Sequence, residues 1–126
     1  MMLHDAAKFY ESWGATMSAV KARSPELGRA FPPFFGELMK DGALDVKTKE
    51  LVALGIAVAL RCEPCIYAHV EKCLHRGASG AEVMDAAGVA VMMGGGPAYT
   101  YTPIVAAAID YLEGKKARVE TARATA

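Results

Sequence analysis

Residues 51–60 read LVALGIAVAL, ten consecutive positions without a charged or hydrogen-bonding side chain. That is about half of the ~20 apolar residues a bilayer span requires, so the stretch predicts a core helix rather than an anchor. A helix over 46–60 built on it has no polar face beyond its first turn and must be enclosed on every side. The rest of the chain, or another copy of it, has to supply the enclosure.

The flanking sequence is punctuated for helices throughout and is nearly free of strand signals. Over 5–23, Ala6, Phe9, Tyr10, Trp13, Met17 and Val20 recur with the helical period. Ser24 and Pro25 suit an N-cap and a first helical position, and Pro32 with Pro33 predicts a break before the short segment FFGELMK. Asp45 caps the apolar helix, and RCEP makes the corner into a helix that runs from Pro64 to Arg76. Gly77 ends that helix. SGAE at 79–82 is a capping box for a helix to about Met93, which GGGP (94–97) stops. GGGP has neither the Lys-Ser/Thr nor the preceding strand of a phosphate loop. A last helix over 98–112 carries Tyr101, Ile104, Val105, Ala108, Ile109 and Leu112 on one side. Residues 113–126 lack a core face and read as a frayed tail. The expected fold is an all-α bundle of about six helices in a single domain spanning 1–126.

Bulk properties narrow the function. Fourteen Lys and Arg balance fourteen Asp and Glu, which gives no reason to expect nucleic acid or a membrane surface as partner. The hydrophobic share of 53% exceeds the usual 45–50% or so, and a subunit interface is the natural place to bury the excess. The N-terminal MMLHDAAKFYESWG has charges where a secretory signal needs an apolar run. Three closely spaced cysteines argue against a secreted disulfide scaffold and favour the reducing cytoplasm.

Those cysteines fall within CEPCIYAHVEKC, residues 62–73. On a helix, Cys65, His69 and Cys73 follow one another at single-turn spacing on one face, with Cys62 at the corner before it. A helix N-terminus stabilises a thiolate, and C-x-x-C pairs there ionise below the free value of ~8.5. His69, four residues after Cys65, can face its sulfur and serve as a proton relay, although a histidine in such a place is also an ordinary hydrogen-bonded core residue. The competing reading is zinc, because C-x2-C-x3-H-x3-C supplies a Cys3His set. Ligands spaced along one straight helix do not converge on a tetrahedral ion, and the segment has none of a zinc knuckle's glycines. A c-type haem needs a histidine directly after the second cysteine, where Ile66 stands. Cys73 suits a small apolar slot; His4 and His75 have no chemical neighbours in sequence and are expected at the surface.

Glu50, Cys62, Cys65 and His69, at spacings of eleven, two and three intervening residues, resemble the pattern of the carboxymuconolactone decarboxylase/alkylhydroperoxidase D-like family. The segment 44–87, with its RGAS-x-x-E turn, is similar to that family's core. The resemblance implies an all-α fold assembled as homotrimers or homohexamers, without metal or organic cofactor. In the alkylhydroperoxidase D branch a cysteine pair reduces hydroperoxides and is restored by a dithiol, such as a lipoylated or thioredoxin-like protein. Carried over, Cys65 would be the peroxide-reactive thiolate, Cys62 its disulfide partner, and His69 with Glu50 the proton relay. Two departures stand out: the chain resembles the short single-repeat members, and Glu63-Pro64 replaces the branch's histidine between the cysteines. The alternatives are cofactor-free decarboxylation, the family's other named activity, and a zinc-binding or purely structural helical oligomer.

Overall fold

A computed structural model of the chain describes residues 5–125; the His4 expectation lies outside them. Six helices of thirteen residues or more and one four-residue turn make up the fold, and no strand occurs among the described residues. They are α1 (Ala6–Arg23), α2 (Pro25–Met39), α3 (Val46–Ala59), α4 (Glu63–His75), α5 (Gly80–Gly94), the short α6 (Gly96–Tyr99) and α7 (Thr102–Thr125). Among the described residues no helix is long and apolar enough to cross a membrane.

The helix starts follow local hydrogen-bond chemistry. Asp45 accepts the Thr48 amide at the head of α3. Ser79 and Glu82 form the reciprocal capping box at the head of α5, satisfying two amides that the helix itself cannot. Glu82 also reaches Lys47 Nζ at 3.0 Å, tying the starts of α3 and α5 together.

Both ends of α4 are bounded by the same six-residue closure. After α3, the Arg61 amide donates to Val58 and the Cys62 amide to Ala57. After α4, the Gly77 amide donates to Leu74 and the Ala78 amide to Cys73. The closure puts its fifth residue in the left-handed region; Gly77 takes φ 91° and Arg61 takes φ 56°. The first closure turns the chain so sharply that Cys62 both finishes the α3 corner and caps α4, and α4 runs back along α3.

The core lies where α3, α4, α5 and α7 meet. Leu54, Val58, Ile66, Val70, Val83, Ala87, Ile104, Val105 and Ala108 are fully buried there. The α1 helix closes one side, with Phe9 stacked on Tyr67 at 4.6 Å and the Tyr10 hydroxyl donating to the Tyr67 carbonyl at 2.5 Å.

Three expectations are corrected. Pro32 and Pro33 do not break the chain: α2 continues through both. An interior proline costs roughly 3 kcal/mol; beyond the two prolines α2 is held to the bundle by the Phe35 ring on His69 and by Lys49 Nζ on the Leu38 and Lys40 carbonyls. The last helix does not begin at 98, because Pro103 lacks the amide that would bond Tyr99; the Thr102 hydroxyl takes that carbonyl at 2.7 Å and restarts the helix as α7. Nor does it fray after 112. Residues 113–125 stay helical though solvent-facing, since the segment is rich in Ala, Lys, Arg and Glu and prolongs a turn already nucleated on the core. Within the one chain α3 is enclosed on one side only: Leu54, Ala57 and Val58 are buried, while Val52, Ile56 and Leu60 are exposed.

Candidate functional site

The α3–α4 hairpin brings together residues that are far apart along the chain. Glu50, in the second turn of α3, is 3% exposed. A carboxylate that far from water needs a partner, and His69 provides it: Nδ1 lies 2.7 Å from Glu50 Oε2. With Nδ1 engaged, Nε2 is the ring nitrogen left for a second partner.

One turn earlier on α4, at the position whose side chain shares His69's face, is Cys65, half-buried. Its sulfur is joined to that of Cys62 in a disulfide with the Cα atoms 5.2 Å apart. Pro64 occupies the first turn, where its missing amide costs nothing. The free amides at this helix start favour negative charge, so reduction of the disulfide would place a thiolate where the backbone stabilises it.

Cys73 continues the same face one turn beyond His69 and is fully buried, as a slot-filling cysteine should be. Burial, with a smaller contribution from the Glu50 charge, pushes its thiol up to about 12. It stays protonated at neutral pH. His75 is exposed.

Sequence reasoning missed three residues around this group. Phe35 of α2 stacks on the His69 ring with centroids 6.2 Å apart and planes 27° apart. Lys72 sets Nζ 4.0 Å over the Phe35 ring. Lys49 donates from Nζ to the carbonyls of Leu38 and Lys40, at 2.9 and 2.6 Å. The expected break at Pro32-Pro33 hid these contacts, because it detached Phe35 from the helix that carries it to α4.

Beside the Glu50–His69 pair, between the end of α2 and the second half of α4, opens a cleft of about 600 Å³. Phe35, Met39 and Val46 give it apolar walls, and Lys40, Lys72 and Arg76 with Asp41 and Glu71 give it a rim of mixed charge; Glu50 reaches it, while the two bonded cysteines lie outside it. Among the described residues no three of His, Cys, Asp and Glu are grouped so as to hold a metal ion. In the proposed Cys3His set, two sulfurs are bonded to each other and Nδ1 of the histidine is turned to Glu50.

A sequence model of the carboxymuconolactone decarboxylase family matches residues 25–108. An uncharacterised protein of the cox locus of Paracoccus denitrificans is 34% identical over 101 residues, 77% of this chain and 91% of that protein. The crystal structure of a carboxymuconolactone decarboxylase family protein from Legionella pneumophila superposes with a TM-score of 0.75 at 34% identity, covering 86% of this chain and 95% of that one. A Thermotoga maritima family member, for which a part in the antioxidative response has been suggested, superposes with a TM-score of 0.67 at 30% identity over 72% of this chain and 94% of that one.

Proposed function

The chain belongs to the carboxymuconolactone decarboxylase family, and on that premise we propose that it is a thiol–disulfide oxidoreductase that reduces hydroperoxides through Cys65 and Cys62. The observation that carries this reading is the disulfide at the head of α4, one turn before a histidine held by a buried carboxylate. A structural disulfide would need no such neighbour.

The chemistry balances as follows. In the reduced protein Cys65 gives its thiol proton to His69 Nε2, and Glu50 at Nδ1 stabilises the imidazolium that results. The Cys65 thiolate attacks the hydroperoxide; the O–O bond breaks, sulfur gains hydroxyl as a sulfenic acid, and His69 returns the proton to the departing alkoxide. The Cys62 thiol then displaces water from the sulfenic sulfur, closing the disulfide. Two thiols and one hydroperoxide become one disulfide, one alcohol and one water. A dithiol restores the pair through a mixed disulfide, by attack at the corner cysteine Cys62. A lipoylated or thioredoxin-like carrier in the cytoplasm fits that role.

Titration of free thiols before and after one equivalent of an organic hydroperoxide tests the proposal. Wild type should lose two thiols of three, and Cys62→Ser should stop at a sulfenic acid that a dimedone probe captures. If Cys62→Ser and Cys65→Ser both consume peroxide at the wild-type rate, the reading is wrong. Turnover of a carboxylated lactone by the Cys62→Ser/Cys65→Ser double variant would point instead to the decarboxylase chemistry.

A further inference from the structure

We propose that Phe35 is a positioning residue for the His69 imidazole, a role that rests on the relay reading above. No residue of α2 is fully buried, yet the half-buried Phe35 ring lies against the face of His69, 6.2 Å away between centroids. Lys72, one turn beyond His69 on α4, holds the same ring through its ammonium at 4.0 Å, a cation–π contact that restrains it. The turn of α2 that follows Phe35 is fastened in turn by Lys49, whose Nζ takes the carbonyls of Leu38 and Lys40.

Two consecutive residues of α3 therefore set two constraints on one imidazole. Glu50 fixes it at Nδ1. Lys49 secures the helix that brings Phe35 against its face. A hydrogen bond at one ring nitrogen leaves the ring free to tilt about that bond, and a flat neighbour removes the freedom. Phe35 also walls the cleft of about 600 Å³, which Glu50 reaches and His69 does not. Loss of the ring would free the imidazole to tilt Nε2 away from Cys65.

The test needs no peroxide. In a reduced Cys62→Ser background Cys65 is the accessible thiol, and its alkylation by iodoacetamide at fixed pH reports how well His69 withdraws its proton. Replacement of Phe35 by Leu should slow that alkylation on the order of tenfold, a part of what a positioned general base supplies, whereas Phe35→Tyr, which keeps a flat ring, should retain most of the rate. In a His69→Asn background Phe35→Leu should have no further effect, a result that a merely structural role would not give. If His69→Asn itself leaves alkylation unchanged, the relay reading fails. If His69→Asn slows it but Phe35→Leu does not, or slows it equally without His69, the positioning role of Phe35 is refuted while the relay stands.

Discussion

Glu50 and His69 sit nineteen residues apart in sequence and 2.7 Å apart in space, one on each arm of the α3–α4 hairpin. Glu50→Gln keeps the shape and an acceptor for Nδ1 but removes the charge that stabilises an imidazolium. Its reduced form should fold normally and alkylate more slowly at Cys65. Glu50→Ala removes the acceptor as well, and a buried donor left without one costs about 1–3 kcal/mol. Alkylation kinetics beside thermal melts separate the two effects; wild-type alkylation rates in both variants would remove Glu50 from the mechanism.

Cys73 should take no part. Its thiol, pushed up to about 12 mainly by burial, is overwhelmingly protonated at pH 7. Peptide mapping after peroxide and alkylation of the folded protein should therefore find Cys73 unmodified, becoming reactive only in denaturant. Oxidation of Cys73 in the folded state at a rate near that of Cys65 would contradict its assignment as a packing residue.

The paired closures around α4 make a stability prediction. Gly77 and Arg61 hold the same position in the same motif, but a side chain in the left-handed region costs roughly 1–2 kcal/mol. Arg61→Gly relieves that cost and gives back some of it through the more flexible unfolded chain. A net gain of up to about 1 kcal/mol should appear as a raised unfolding midpoint. An unchanged or lowered midpoint would mean that the Arg61 side chain contributes contacts that outweigh its backbone strain.

Two carboxylates at helix starts make stability depend on acid. Glu82 is held below its ordinary 4.5 by the Ser79 amide and then by Lys47, and Asp45 below its ordinary 3.8 by the Thr48 amide and hydroxyl. Depressed folded values mean that the unfolded chain binds protons first as pH falls. The stabilisation is whole above the ordinary values and is lost as pH drops through the lower folded ones. Melting points measured from pH 6 to pH 3 should fall less steeply in Glu82→Gln than in wild type. Identical slopes would show that the capping box does not couple to protonation.

How much of this was legible in the sequence depended on range. Asp45, Ser79 with Glu82, and Gly77 act within one turn, so their residue types alone located the helix ends. The spacing of Cys65 and His69 likewise fixed a shared face on α4. Pro32-Pro33 misled because the local cost of proline is visible in sequence, whereas the contacts that hold α2 beyond it, Phe35 on His69 and Lys49 on the Leu38 and Lys40 carbonyls, are not. Phe35, Lys49 and Lys72 carried no local signal, since each gains its role only when α2 and α4 meet across α3.

The apolar residues that the chain leaves in water lead to the last prediction. On α2, Leu27, Phe31, Phe34 and Leu38 form a stripe with four- and three-residue steps, each more than half exposed. On α3 and its C-cap, Val52, Ile56 and Leu60 repeat every fourth residue, and Leu60 is 71% exposed. On α5, Val89, Met92 and Met93 are more exposed than buried. Single exposed apolar residues are ordinary, but three helices each presenting a continuous row are not. Obligate interfaces have the composition of a core cut in half, and closed symmetry is the usual outcome for identical chains. We therefore expect a homotrimer or a hexamer of paired trimers with no stable monomer at micromolar concentration. Light scattering coupled to gel filtration should give a multiple of 13.3 kDa, and charges introduced together as Val52→Glu and Ile56→Lys, on the one unenclosed face of α3, should lower that mass or abolish soluble protein. A wild-type mass near that of one chain would refute the assembly and leave the three apolar rows without an occupant.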